Sequence, residues 1–265
     1  MTTRSRWATM VVMALGACNT GTSLQMSHVF VRLTDAPGPA IASAVVWVSR
    51  VELVGGSGGP FVITETGGQF DLLALQNGVT TLLGDGTIPA GDYEQLRLIV
   101  DSARITLVSD TFSDGSMTKS LKVPSGSESG LKVNFGGPVH IAPPQTALVV
   151  DFDVSRSFVF QGTSGGPISV SFKPVLHGSV ADVAGSISGT SSPASANGVL
   201  FAINGTDTVA TAAADANTGA YTLLFLPPAT YTVADSSTVT GHNAPSQTVV
   251  VGPGAHVTGV DFTIP

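Results

Sequence analysis

Asp151 and Asp153 are separated by one residue in a predicted strand, a spacing that could bring two carboxylates together. Alternate residues of a strand project from one face about 7 Å apart, which leaves Phe152 and Val154 facing a core. Paired carboxylates suit Ca²⁺, which prefers oxygen ligands. They also suit ion pairs with basic side chains on neighbouring strands, and we expect that role. We therefore predict no metal site and no cofactor, with Asp151 and Asp153 as weak metal candidates.

Other oxygen-rich segments are weaker still. Asp35 and Asp101 are carboxylates that could join such a site, although the sequence does not place them. Residues 215–219 have the oxygen spacing of half a calcium loop. They lack the downstream glutamate, so we predict a turn with glycine in the left-handed region.

Ser164 lies in a glycine-rich segment, residues 162–167, that looks like the nucleophile loop of chymotrypsin-like proteases. That chemistry also needs a histidine base and an orienting carboxylate. The five histidines stand in no recognisable protease context, and glycine, serine and proline cluster in turns anyway. We predict a loop, no catalytic residues and no enzymatic activity.

Cys18 is the chain's single cysteine. Before it come two arginines, an apolar stretch at residues 7–14 and Leu-Gly-Ala at 15–17, with small residues next to the cysteine, the pattern of a secretory signal. The stretch is too short to span a bilayer, which takes about 20 apolar residues. Residues 15–18 resemble the lipobox of bacterial lipoproteins, which implies lipidation of Cys18. Asn19 in place of aspartate implies, by lipoprotein sorting rules, the outer membrane of a host that has one.

The charge distribution limits the partners and marks a boundary. The net charge is −7 with only 11% charged residues, so the chain has no electrostatic footprint for nucleic acid. Attachment to a membrane is therefore expected to come from the N-terminal acyl chains. No lysine or arginine follows Lys173, and from Val183 onward the charged residues are Asp207, Asp215, Asp235 and Asp261.

Short alternating segments separated by turn residues predict an all-β protein, since no window shows the helical period. Asn204-Gly205 between two such segments is a strong hairpin signal. We predict two β-sandwich domains in tandem, the second immunoglobulin-like. The predicted division is a signal peptide at 1–17, a lipidated N-terminus and tether at 18–27, a first domain at 28–178, a linker and start of the second domain at 179–195, and a second sandwich at 196–265.

From residue 31 to 175 the chain resembles a bacterial and archaeal extracytoplasmic family known only as domain of unknown function 4382. The resemblance rests on several ordered motifs. They are Leu-Thr-Asp-Ala-Pro-Gly at 33–38, the segment 88–100 that begins Ile-Pro-Ala-Gly-Asp-Tyr, the pair 121–126 and 129–133, and the pair 150–153 and 173–175. The family implies no reaction, but its usual setting, a secreted or lipid-anchored surface protein, agrees with Cys18.

The C-terminal part resembles carboxypeptidase-regulatory-like, transthyretin-like modules through residues 215–223, 226–233 and 251–254. Ala229 stands where that family usually has glycine, so the turn before Tyr231 is expected to differ slightly. Such modules are often grouped with carbohydrate-binding-like folds, which is an analogy of fold.

We expect a non-enzymatic, lipid-anchored protein of the cell envelope that acts as a surface binding or adhesion module. Its partners would be a surface glycan or an envelope protein. Two alternatives stay open, a structural spacer without a ligand and a carbohydrate-binding accessory protein. Exposed aromatic side chains would favour sugar binding, but Trp47 is the single tryptophan outside the signal, and Tyr221 and Tyr231 fit a core pattern.

Overall fold

The computed structural model describes residues 24–36, 41–56, 58–123, 129–162, 168–237, 239 and 241–265. Across these residues the chain folds almost entirely into β-strands, which confirms the predicted all-β class. The signal segment, Cys18 and Ser164 lie outside the described residues. The strands divide into an N-terminal and a C-terminal group, each around its own hydrophobic core. We call these groups the first and the second domain.

The first domain holds strands β1 to β14. Their bounds are β1 (Met26–Ala36), β2 (Ile41–Val54), β3 (Phe61–Thr64), β4 (Gly68–Asp71), β5 (Thr81–Pro89), β6 (Gly91–Tyr93), β7 (Gln95–Leu107), β8 (Thr118–Leu121), β9 (Leu131–Val133), β10 (Val139–Ile141), β11 (Gln145–Asp153), β12 (Phe158–Gln161), β13 (Ser169–Phe172) and β14 (Leu176–Val180). A 3₁₀ helix at Leu72–Leu75 and the α-helix α1 (Val154–Ser157) interrupt them. No helix in the described part of the chain is long and apolar enough to cross a membrane.

Two sheets of this domain enclose its core. Sheet A has the strand order β14-β11-β1-β5, and sheet B has the order β3-β2-β7-β8, with β4 also paired to β2 and β9 to β7. Val31 of β1 and Val150 of β11 are fully buried in one cluster with Val46 of β2 and Leu98 of β7. Because side chains alternate along a strand, apolar residues at every second position close this core.

The pairing of β1 with β11 is parallel, whereas β5 and β14 add to these strands in antiparallel fashion. The parallel register sets Thr34 beside Asp151 and Asp35 beside Phe152. Leu33 and Val150 face the core, so the side chains of Thr34 and Asp151 lie on the outer face of sheet A. Asp35 follows Thr34 at the end of β1, so two acidic residues that are far apart in the sequence lie near the same end of this strand pair.

Strand β5 is not predicted by the sequence pattern, because two glycines interrupt its alternation. A Cβ at Gly84 would overlap the Thr64 side chain, and a Cβ at Gly86 would lie 2.5 Å from the Ile63 carbonyl oxygen. The glycines are therefore needed where β5 passes close to β3.

Strands β15 to β22 form the second domain. Their bounds are β15 (Gly185–Ser192), β16 (Gly198–Asn204), β17 (Asp207–Ala213), β18 (Ala220–Leu226), β19 (Ala229–Ser237), β20 (Gln247–Val251), β21 (His256–Val257) and β22 (Phe262–Thr263). One sheet has the order β18-β15-β21 with β22 also paired to β15, and the other has the order β17-β16-β19-β20. Ile187, Leu200, Leu223 and Val233 are fully buried in the core that these strands share.

Strand β15 lies inside the segment 179–195, for which the sequence suggests a linker and the start of the second domain. A short 3₁₀ helix, Ala181–Val183, fills most of the space between β14 and β15. The small residues of β15 serve close packing: a Cβ at Gly185 would overlap the Ala255 carbonyl oxygen, and one at Gly189 would overlap that of Val260. The connection between the domains is therefore short.

Each domain holds a buried tyrosine that bonds back to the preceding turn. The hydroxyl of Tyr93 donates to the carbonyl oxygen of Pro89 at 2.7 Å, and that of Tyr231 donates to the carbonyl oxygen of Pro227 at 2.6 Å. This is the arrangement of a tyrosine corner, which fixes a turn in Greek-key sandwiches. The side chain of Ala229, which lies between Pro227 and Tyr231 in the sequence, does not prevent this bond in the second domain.

Candidate binding site between the two domains

The second domain packs on the outer face of sheet A, where β17 and β18 contact β1, β11 and β14. Val149 of β11 points away from the core of the first domain yet is only 2% exposed. Val209 of β17 and Leu224 of β18 line the same small space as Val149. An outer sheet face that would otherwise meet solvent is therefore partly covered by the second domain.

A turn of the first domain fits tightly against β18. Asn77 and Gly78 both have positive φ, at 57° and 81°, and a Cβ at Gly78 would overlap Leu224. Phe225, next along β18, has φ of 56°, which is rare for a bulky side chain. Strained backbone of this kind persists only where surrounding contacts hold it. The contact between the domains is therefore a specific fit.

Asp207 is the centre of the polar contacts between the domains. Asn134 Nδ2 donates to Asp207 Oδ2 at 3.0 Å, and Arg156 Nη1 lies 3.6 Å from Asp207 Oδ1. Arg156 Nη1 also donates to the Thr208 carbonyl oxygen at 2.8 Å. His177 Nδ1 lies 3.7 Å from Asp207 Oδ2. Three elements of the first domain thus converge on one carboxylate of the second.

The hairpin between β16 and β17 carries Asp207 to this position. The sequence predicts a turn at Asn204-Gly205, and the structure places it one residue later, because Asn204 pairs with Asp207 across the hairpin. Gly205 takes the positive φ, 62°, that the tight turn requires. The offset puts Asp207 at the first position of β17, facing the first domain.

His177 is the buried member of this cluster, with 6% of its surface exposed. Burial lowers its pKa, and the charges of Asp207 and Asp153 oppose that effect only in part. Its Nε2 is buried and has no hydrogen-bond partner among the described residues. The imidazole is thus neutral at physiological pH and keeps unused hydrogen-bonding capacity.

A groove of about 360 Å³ opens beside the cluster. Asn134, His177, Asn204 and Asp207 supply polar groups, and Phe135 supplies an aromatic ring. The remaining lining residues are Gly136, Gly178, Val209, Pro227, Pro228, Ala229 and Tyr231. Volume and mixed lining fit a ligand site at a domain boundary.

Phe135 is a partly buried aromatic residue that lines this groove. A Cβ at Gly178 would overlap its ring, so the glycine lets β14 lie directly against the ring in this position. A second depression of about 390 Å³ shares Asn134 and Phe135 and extends past Glu94 and Lys132. The two depressions therefore meet at one partly buried aromatic ring.

Asp153 is a helix cap in the structure. Strand β11 ends there, and Asp153 Oδ1 accepts hydrogen bonds from Ser155 Oγ at 2.6 Å and from Arg156 N at 3.0 Å. Phe152 and Val154 are buried in the core, as predicted.

Asp151 lines a small cavity between the domains together with Asp35. Asp35 is 4% exposed and accepts hydrogen bonds from Val154 N at 3.1 Å and from Gln76 Nε2 at 3.3 Å. Burial and the neighbouring charge of Asp151 raise the pKa of Asp35 to about 9. Within the described ranges no three histidine, cysteine, aspartate or glutamate side chains are grouped to hold a metal ion.

The turn at residues 215–219 is confirmed. Asp215 Oδ1 accepts from Asn217 N, Thr218 N and Thr218 Oγ1 at 3.0, 2.8 and 2.9 Å, which lowers the pKa of Asp215. Gly219 has φ of 72°. Oδ1 of this carboxylate is thus engaged in forming the turn.

Sequence reasoning did not identify Asn134, Arg156, His177 or Asp207 as neighbours. Asp207 gave a usable signal, because it is one of four charged residues after position 182 and directly follows a predicted turn. Asn134 and His177 gave none, since their proximity depends on the long-range bridge between residues 134 and 177.

A family model described as domain of unknown function DUF4382 matches residues 26–174. The chain belongs to the DUF4382 family. This confirms the first resemblance that we inferred from the sequence. The match spans β1 to β13 and includes Asn134, Phe135 and Arg156, whereas His177 and Asp207 follow the DUF4382 region.

Among curated proteins, nothing matches this DUF4382 chain. Among solved structures, the Bacillus anthracis TIE protein is similar at 8% identity with a TM-score of 0.25. That similarity covers 89% of this chain and 40% of the TIE protein, so this chain spans less than half the length of that protein. A TM-score of this size carries no argument about function.

Proposed function

We propose that this DUF4382 protein is a non-enzymatic, lipid-anchored binding protein of the cell envelope, and that its groove between the domains binds a surface glycan. The observation that carries the proposal is the groove of about 360 Å³ at Asp207. It combines an aromatic ring with amide, carboxylate and imidazole groups, whereas an apolar peptide groove would need few polar groups.

A glycan fits this combination of groups. The ring of Phe135 offers an apolar surface for the C–H face of a sugar, as aromatic side chains commonly do. Asn204 is exposed at the end of β16, and its amide both donates and accepts hydrogen bonds, which suits hydroxyl groups. His177 Nε2 adds buried hydrogen-bonding capacity nearby. The second domain completes the site, in keeping with a carboxypeptidase-regulatory-like module of the carbohydrate-binding-like kind.

The location of the protein rests on Cys18. The lipobox-like residues 15–18 support export, cleavage and acylation of the Cys18 thiol, and stable anchoring takes two or more acyl chains. Asn19 supports the outer membrane as the destination in a host that has one. A protein held there would present its groove to glycans of the envelope.

A glycan array probed with the intact mature protein in detergent tests the binding proposal. We expect binding to a defined class of envelope glycans. Asn204→Trp, which places a bulky ring in the groove, should remove that binding. Asn217→Trp is the matched control, because Asn217 is exposed in a turn of the same domain, outside the groove.

Two results would overturn this proposal. One is the absence of wild-type binding to any glycan, which would favour a spacer or, after capture of an envelope protein, a protein-binding module. The other is glycan binding that Asn204→Trp leaves unchanged, which would place the site elsewhere.

Labelling of cells with a clickable palmitate tests the anchor separately. The wild-type protein should incorporate the label and fractionate with membranes, and Cys18→Ser should do neither. Label incorporation that survives in Cys18→Ser would refute lipidation at this residue.

A further inference from the structure

The N-terminal end of β1 is the part of the described chain that lies nearest to Cys18 in the sequence. Leu24 is the first described residue, six positions after Cys18. An extended chain covers at most about 3.6 Å per residue, so six residues cover at most about 22 Å. Acyl chains on Cys18 would therefore keep this end of the first domain close to the membrane. The inference below rests on the lipidation of Cys18 that is part of the proposed function.

Three segments of the first domain meet where β1 begins, and we call them together the anchored end. They are residues 24–28, 88–91 and 141–145. Ala90 N donates a hydrogen bond to the Gln25 carbonyl oxygen at 2.7 Å, and His28 N donates to that of Pro144 at 3.0 Å. Main-chain hydrogen bonds thus hold together three segments that are far apart in the sequence.

The anchored end exposes apolar side chains and carries no acidic or basic residue other than a histidine. Leu24 is 65% exposed and Met26 is 47% exposed, and Pro143 and Pro144 are exposed beside them. None of the three segments contains aspartate, glutamate, lysine or arginine, although the chain has a net charge of −7. An acidic protein would be repelled by anionic lipid headgroups, and this end presents none of that charge to them.

Two acids flank the anchored end, and each has a histidine beside it. Asp85 Oδ2 lies 3.0 Å from His28 Nε2, and Asp92 Oδ1 lies 2.7 Å from His140 Nδ1. Both carboxylates therefore have a polar partner within the protein.

The second domain lies toward the opposite end of β1. Eight residues separate Met26 from Thr34, which corresponds to about 27 Å of strand at about 3.4 Å per residue. Thr34 and Thr211 of β17 line the same small cavity between the domains. Asp151 is the register partner of both Thr34 and His177, so His177 in the groove lies level with Thr34. Both the second domain and the groove are thus remote from the anchored end.

We propose that the anchored end docks on the surface of a phospholipid bilayer, with Leu24, Met26 and the Pro143-Pro144 segment entering the headgroup region. Exposed apolar side chains gain free energy when they leave water, and shallow burial of this kind orients proteins that an acyl chain attaches. The short connection to Cys18 identifies the bilayer as the occupant, because it keeps this end at the membrane. The first domain then acts as a stand that directs the groove away from the lipid.

Fluorescence quenching in vesicles tests the docking. The intact mature lipoprotein is placed in vesicles of phosphatidylethanolamine and phosphatidylglycerol, in which some lipids carry a nitroxide at the headgroup. Since acylated Cys18 has no free thiol, an introduced cysteine can be labelled alone. Gln145→Cys puts the label at the anchored end, and Thr118→Cys is the matched control, exposed and paired with Thr106 near the far end of β7. Quenching at position 145 should be several-fold stronger than at position 118.

Substitution of the exposed apolar residues tests how the end docks. Leu24→Asp combined with Met26→Asp should lower the quenching at position 145 to nearly the level at position 118, because charged side chains do not enter the apolar part of the interface. The acyl chains should still hold this variant on the vesicles. Val250→Asp is the matched control, since Val250 is 68% exposed on β20 of the second domain, and it should leave the quenching unchanged.

The possible failures can be told apart. Equal quenching at positions 145 and 118 in protein that floats with the vesicles would overturn the docking and leave the lipid anchor intact. Quenching that the double aspartate variant does not change would overturn the contact through Leu24 and Met26. A wild-type protein that takes up no palmitate and does not float with vesicles would overturn the anchor and the docking together.

A second copy of the chain is the competing occupant of this surface. Dimers of the unlipidated Cys18→Ser protein that the double aspartate change dissociates would assign the anchored end to that copy and overturn the docking on lipid. Glycan binding is measured separately on the array, so the groove and the anchored end can fail independently.

Discussion

At the scale of single residues, the second domain contains a buried acid whose charge state should affect stability. Asp235 is 1% exposed, and neither of its carboxylate oxygens has a well-formed hydrogen bond among the described residues. Burial raises its pKa, and the nearby Ser191 hydroxyl and Ser236 N–H lower it only in part. The folded protein therefore keeps a proton on Asp235 at pH values where the unfolded chain has lost it.

We predict that Asp235 makes the second domain less stable as the pH rises. The folded-state pKa of Asp235 lies above the unfolded value of about 3.9. The contribution of Asp235 to the free energy of unfolding is therefore most favourable below about pH 3.9 and declines as the pH rises through the folded-state pKa. Asp235→Asn is neutral throughout, so its melting temperature relative to wild type should increase from pH 4 to pH 7. A relative melting temperature that stays constant, as expected for the exposed control Asp182→Asn, would contradict this.

Asp153 permits a second prediction at this scale. Asp153→Ala removes the acceptor for Arg156 N and Ser155 Oγ and should destabilise the first domain by about 1 kcal/mol, a typical cost for a lost helix cap. Asp153→Asn retains a capping oxygen and should cost less. Denaturant unfolding of both variants measures the difference, and equal losses would argue against the capping role.

At the scale of elements, both domains contain a tyrosine corner of the same kind. Tyr93→Phe and Tyr231→Phe each remove one hydroxyl that donates to a proline carbonyl oxygen. Each should cost about 1 kcal/mol, the usual net value of such a bond, with both rings still packed in their cores. Calorimetry should show that each variant lowers the unfolding temperature of its own domain. A lower unfolding temperature in the other domain alone would contradict this prediction.

The all-β class could be predicted because alternation and turn residues are local signals. β5 and β15 could not be predicted, since their glycines and small residues resemble a loop or linker. Their role becomes clear only in the folded chain, where Gly84 makes room for the Thr64 side chain and Gly185 for the Ala255 carbonyl oxygen. The parallel pairing of β1 with β11 is also a long-range property, which no local turn specifies.

The candidate site could not be predicted either, because it too depends on contacts between residues that are far apart in the sequence. Its residues come from the β9–β10 connection, β14 and the β16–β17 hairpin, and only the packing of two domains brings Asn134, His177 and Asp207 together. The sequence singled out Asp151 as an acid of interest. Its register partners on the neighbouring strands are Thr34 and His177. Asp35, which lines the same cavity as Asp151, is an acid that the sequence could name but not place.

At the scale of the whole molecule, two separate cores are joined through an interface in which apolar contacts surround a polar centre at Asp207. The short connection at residues 181–184 and the fit of Gly78 against Leu224 restrict how the second domain can sit. Since the groove and the small cavity are both built from residues of the two domains, both depend on this arrangement.

We predict that Asp207→Ala loosens the domains without unfolding either core. The change removes the hydrogen bond from Asn134 and the ion pair with Arg156, but Asp207 is 39% exposed, so screening limits the loss to about 1 kcal/mol. Hydrogen exchange should quicken in β14 and β17 at the interface while β2 and β7, in the first core, remain protected. Asp207→Asn keeps an acceptor for Asn134 and should show a smaller effect, and the exposed control Asp182→Ala should show none. Unchanged exchange at β14 and β17 in Asp207→Ala would mean that the apolar contacts alone, around Val149, Leu224 and the Asn77-Gly78 turn, fix the domains.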